Sequence, residues 1–125
     1  MSLAAIIARH SSLPPNEVRE WASGSMEDIE SAILFVLATW SGQSIAAFKK
    51  LTERLASTPA SPVLLVCDID NLSVETRRIF GSLRGAGETF WIRDGHVVAS
   101  LQDYTLDDWV NAVDRNREML RAPAR

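Results

Sequence analysis

The stretch Ala32-Ile33-Leu34-Phe35-Val36-Leu37-Ala38-Thr39-Trp40-Ser41-Gly42-Gln43-Ser44 passes from an unbroken apolar run to a short polar corner. Such a run is what a strand shows when both of its faces are covered, as in a mostly parallel sheet. Beyond the corner the period changes. Ile45, Phe48, Leu51, Leu55 and Ala56 fall on one face of a helix, with Lys49, Lys50, Glu53 and Arg54 on the other. Ser44 is placed to cap that helix, and Pro59 and Pro62 stop it. Strand, corner and helix together form half of a parallel crossover unit.

Working outward, residues 63–67 give a second buried strand that ends in Asp68-Ile69-Asp70-Asn71. A helix is expected from about Ser73, with Ile79, Phe80 and Leu83 inward, running into a turn rich in glycine at Gly81, Gly85 and Gly87. Residues 89–93 and 96–101 read as strands, and Asp94-Gly95 between them is a strong two-residue hairpin signal. Thr105 and Asp108 open a closing helix that carries Leu106, Trp109, Val110, Val113 and Leu120. Upstream, the opening Met1 to Ala8 suggests a short helix. Leu13-Pro14-Pro15-Asn16 interrupts the pattern, and Val18, Trp21 and Ala22 then fall at helical spacing before Gly24. Ser25 and Asp28 have the spacing of a helix cap. Residues 1–30 are therefore expected to be a helical N-terminal extension on a domain spanning 31–125.

The whole chain has 125 residues, 46% hydrophobic and 23% charged, the size and balance of one domain. Thirteen Lys and Arg against sixteen Asp and Glu leave a net charge of −3, which opposes binding driven by nucleic-acid phosphates. The same acidity argues against reading residues 6–22 as a DNA-binding helix-turn-helix. No apolar run approaches the ~20 residues that a membrane helix requires. The opening residues lack the early positive charge of a secretory signal. With Cys67 the only cysteine, an internal disulfide or a multi-thiolate zinc site is impossible, and a reducing, cytoplasmic setting is expected.

Trp40-Ser41-Gly42-Gln43-Ser44 resembles the Trp-Cys-Gly-Pro-Cys corner of the thioredoxin family, with Ala38, Trp40 and Gly42 at matching places. The resemblance continues through Val66 to Asp70, similar to that family's strand ending in Asp-x-Asp, and through Phe80 and Gly85 to Asp94-Gly95-His96-Val97. It spans roughly residues 32–121 and implies an α/β, thioredoxin-like mixed sheet with helices on both faces. The family's functional positions have changed. Ser41 and Ser44 replace the two cysteines, Gln43 the intervening proline, Phe35 a buried acid and Gly87 the cis-proline. A hydroxyl cannot serve as the thiolate of thiol-disulfide exchange.

The resemblance therefore implies a redox-inactive protein-binding, chaperone or assembly module rather than an enzyme. It needs no cofactor and takes a protein partner, a second copy of the chain being one candidate. Its surface would comprise Trp40, Ser41, Gly42, Gln43, Ser44, Gly85 and Gly87, with Gly87 leaving backbone groups open to an extended partner segment.

Two enzymatic readings compete. Cys67 could carry divergent thiol chemistry, although a lone cysteine within a strand is ordinarily a small core residue. Asp68 and Asp70 after an apolar strand also resemble the first motif of Mg²⁺-dependent haloacid dehalogenase-type phosphatases. Asn71 and Leu72 stand where that family has Gly and Thr, and no lysine follows Asn71. His10 and His96 are isolated, so no metal site is expected, and neither Ser41 nor Ser44 has a local base to make it a hydrolytic nucleophile.

Overall fold

A computed structural model describes residues 2–21, 25–58 and 62–120. Helix α1 (Leu3–His10) is followed by β1 (Val18–Glu20), a single 3-10 turn at Met26–Asp28, β2 (Ser31–Leu37) and α2 (Gly42–Ala56). Next come β3 (Leu64–Asp68), a 3-10 turn at Ile69–Asn71 and α3 (Val74–Phe80), then β4 (Thr89–Arg93), β5 (His96–Leu101) and α4 (Trp109–Glu118). The five strands lie in the order β1-β3-β2-β4-β5. β1 and β2 run parallel to β3, β4 runs antiparallel to β2, and β5 pairs antiparallel with β4.

Side chains alternate across a strand, and β2 divides its apolar run between two cores accordingly. Ile33, Phe35 and Leu37 face a cluster built with Ile6 of α1, Phe48, Leu51 and Leu55 of α2, Trp91 of β4 and Val113 of α4. Ala32, Leu34 and Val36 face the opposite cluster, with Cys67, Phe90, Ile92 and Phe80 of α3. Helices thus cover both faces, as a strand apolar on both sides requires. Phe80 stacks on Phe90 with ring centroids 4.1 Å apart, while Phe35 meets Phe48 edge-on at 5.5 Å. Fully burying a side chain of this size contributes roughly 1.5–3 kcal/mol. At the periphery, the Arg54 guanidinium grips both Asp114 oxygens, at 3.0 and 2.5 Å, and so ties α2 to α4.

The first thirty residues depart from expectation. Val18 begins a strand rather than a helix, in register with Leu64 of β3. Its apolar spacing with Trp21 is fortuitous, because Val18 faces inward from a three-residue edge strand. Ile6, Leu13 and Val18 belong to the same core cluster as Phe35, so these three residues of the expected extension pack into the main core. Ala22, Gly24 and Pro59, invoked above as helix or stop signals, lie outside the described residues.

Two other expectations change. Ile79 and Leu106 are each 56% exposed rather than inward. The closing helix starts at Trp109, because the Asp103 carboxylate accepts hydrogen bonds from the Thr105 amide (2.8 Å) and hydroxyl (2.6 Å) and folds that segment into turns. The Asp94-Gly95 hairpin forms as read, with positive φ at both residues. Among the described residues, no helix is long and apolar enough to cross a membrane.

Candidate functional site

The corner between β2 and α2 is held by two hydroxyls. Ser41, not Ser44, is the N-cap of α2: its Oγ accepts from the Ser44 amide at 3.3 Å and donates to the Gly85 carbonyl at 2.7 Å. Ser44 lies one turn inside the helix, fully buried, with its Oγ accepting from the Ala38 amide at 3.0 Å. That bond satisfies the backbone donor left where β2 ends. Both serines are therefore engaged in shaping the corner, and among the described residues neither hydroxyl is hydrogen-bonded to a side-chain base.

Trp40 stands outside this frame, 63% exposed. Its indole Nε1 donates to Asp70 Oδ2 at 3.1 Å. Its ring lies against Gly85, where a Cβ would come within 2.7 Å of Trp40 Cη2. A large apolar surface is thus presented to solvent while held at its Nε1 by Asp70 and approached at its six-membered ring by Gly85. Gly42 and Gln43 are exposed beside it.

Gly85 and Gly87 are buried, and the expectation that Gly87 opens its backbone to a partner segment is not met. A Cβ on Gly87 would fall 2.5 Å from the Ala47 Cβ and 3.2 Å from Phe35 Cζ. The glycine therefore permits close packing of the 85–88 loop onto α2 and the Phe35 ring. Its φ of +89° is one that a side chain would strain. Among the described residues no peptide bond is cis.

Glu88 follows, 1% exposed. Its two oxygens accept from the Arg84 amide at 2.7 Å and the Ala86 amide at 3.2 Å. A hydrogen bond to a charged acceptor contributes roughly 1.5–3 kcal/mol, and two offset part of the cost of burying a carboxylate. Thr89 continues the network: its hydroxyl donates to the Gly87 carbonyl at 2.9 Å and lies 2.7 Å from the buried Tyr104 hydroxyl, whose pKa burial pushes up.

In the sequence Asp70 points to another role and Glu88 carries no signal. A carboxylate that, among the described residues, bonds only to backbone amides four and two residues upstream leaves no spacing signature. For Asp70, the Asp-x-Asp strand end was visible, but its pairing with an indole thirty residues away was not.

The competing residues have structural partners. Cys67 is 2% exposed, its thiol points at the Phe35 carbonyl 3.7 Å away, and burial, with help from the nearby Asp68 charge, pushes its pKa up to about 12. A buried thiol shifted in this direction is a poor source of thiolate near neutrality. Asp68 accepts from the Asp70 amide at 2.9 Å, capping the Ile69–Asn71 turn, while the Asp70 carboxylate is engaged by Trp40. Arg77 donates to the Ile69 carbonyl and secures the same turn. Among the described residues, no three His, Cys, Asp or Glu side chains gather as a metal site. His10 ends α1 and His96 begins β5, apart from this corner.

Sheet order, crossover and corner together define a thioredoxin fold. Solved structures of the same fold include reduced desulfothioredoxin from Desulfovibrio vulgaris Hildenborough (TM-score 0.62, 19% identity, 78% of this chain and 95% of that one). Others are the reduced thioredoxin pre-protein of Schistosoma mansoni (0.62, 18%, 84% and 99%) and the thioredoxin of Malassezia sympodialis (0.60, 16%, 86% and 98%). Likeness at these identities establishes the fold. No family model matches the sequence. No curated protein sequence matches it either.

Proposed function

We propose that this protein binds a polypeptide partner through its Trp40 corner, as a chaperone, assembly or adaptor module, and carries out no thiol-disulfide exchange. The observation that carries the reading is the 63% exposure of an indole held in place by Asp70 and Gly85. A rigid, exposed tryptophan costs little conformational entropy to bury, and such residues often dominate interface energetics. The lack of thiols at positions 41 and 44 argues against exchange, as does the burial of Cys67. A single reduced cysteine fits a reducing compartment such as the cytoplasm.

Two measurements test this reading. Insulin reduction by the purified protein should stay at background, and sustained turnover would refute the redox-inactive part. Affinity capture from the native cell should yield a protein partner that is lost with Trp40→Ala, provided that variant remains folded. Capture unchanged by Trp40→Ala would refute the binding surface. Light scattering of the purified protein identifies the case in which the partner is a second copy.

A further inference from the structure

We infer that Glu88 is the positioning residue of the Trp40 corner, setting its shape from beneath without contacting what binds there. This inference rests on the reading of that corner as a binding surface. The chain of contacts is short. The Glu88 carboxylate, 1% exposed, fixes the Arg84 and Ala86 amides on either side of Gly85. Gly85 in turn offers its carbonyl to Ser41 Oγ at 2.7 Å and its bare α-carbon to the Trp40 ring. Two amides pointing at one carboxylate bend the backbone between them, and it is that bend which carries both contacts.

The loop has no proline to fix its φ angles and has glycines at 85 and 87, whose unfolded freedom is the largest of any residue. Order must come from elsewhere, and Glu88 forms no ion pair among the described residues to divert it. Among the described residues its oxygens serve the loop amides alone. The geometry therefore assigns to a carboxylate the task of holding the platform on which an exposed indole rests.

Glu88→Gln preserves the side chain's shape but replaces one acceptor oxygen with an NH₂ group, so one loop amide loses its partner. The protein is labelled with 5-fluorotryptophan, and its four tryptophan resonances are assigned by single Trp→Phe variants. Glu88→Gln should displace the Trp40 resonance by more than its linewidth, leave those of Trp21 and Trp109 in place, and reduce partner affinity at least tenfold. A folded Glu88→Gln protein with an unmoved Trp40 resonance overturns the inference. If the resonance moves while affinity is unchanged, the role of Glu88 stands and the reading of Trp40 as a binding surface fails.

Should Glu88→Gln not fold, hydrogen exchange in the parent protein decides. Arg84 and Ala86 amides that exchange much more slowly than those of Ser82 and Leu83 support the inference, and equal exchange overturns it.

Discussion

The hydroxyl of Ser41 donates to the carbonyl of Gly85 across 44 residues of chain, at 2.7 Å, while the same oxygen caps the first turn of α2. One side chain thus couples the start of a helix to the loop that supports Trp40. Ser41→Ala removes both bonds. Loss of an N-cap costs about 0.5–2 kcal/mol, and the abandoned Gly85 carbonyl places this substitution toward the upper part of that range. Urea unfolding should show a decrease of about 1–2 kcal/mol with no change in the slope against denaturant.

Restoring thiols tests the corner's geometry. Ser41 and Ser44 sit at the N-cap and in the first turn of one helix, the two positions that the sequence resemblance sets against the cysteines of the thioredoxin family. Ser41→Cys combined with Ser44→Cys should close an intramolecular disulfide under mild oxidation. Alkylation and mass spectrometry should then find one remaining thiol, that of Cys67. Three free thiols under those conditions would mean that the corner departs from the fold's geometry.

The four tryptophans should separate by burial. Trp91 is fully buried in the core, whereas Trp21 and Trp109 are half-buried and Trp40 is mostly exposed. Truncating a buried tryptophan costs about 3–5 kcal/mol, so Trp91→Ala should be the most damaging of the four single truncations. Trp40→Ala should cost about 1 kcal/mol, chiefly through its hydrogen bond to Asp70. Equilibrium denaturation of the four variants gives the order directly.

Cys67 should behave as a core residue. With its thiol pushed up to about 12, it should resist Ellman's reagent in native buffer and show no surge in rate between pH 7 and 9. Reaction should become complete when the protein is unfolded in guanidinium. Rapid labelling of the native protein would reopen a thiol role.

Much of this architecture is written in the sequence. The apolar run of β2 is continuous because both its faces are buried, and the Asp94-Gly95 pair marks a turn whose backbone few other residues adopt. The Trp40–Ser44 corner is legible through tryptophan and glycine. Residues 18–21 mislead because a three-residue edge strand is too short to show alternation, and Val18 and Trp21 imitate a helical face. Ser44 looks like a cap because serine serves both at helix starts and one turn inside, and only the Ala38 amide distinguishes them. Gly87 illustrates a different limit: glycine in a sequence signals that space is tight or φ unusual, not which side of the loop is open. Glu88 is invisible for a related reason, since its partners are backbone amides that any residue at 84 and 86 would supply.

The central claim, that the Trp40 corner meets a partner protein, is tested most directly by placing a photo-crosslinking amino acid at Gln43, exposed beside Trp40, and irradiating the protein in its native cell. The account predicts one dominant protein adduct from Gln43, absent when Trp40→Ala is combined with the probe and absent when the probe sits at the exposed Glu53 on α2. No adduct from Gln43, or the same adduct from both sites regardless of Trp40, would contradict it.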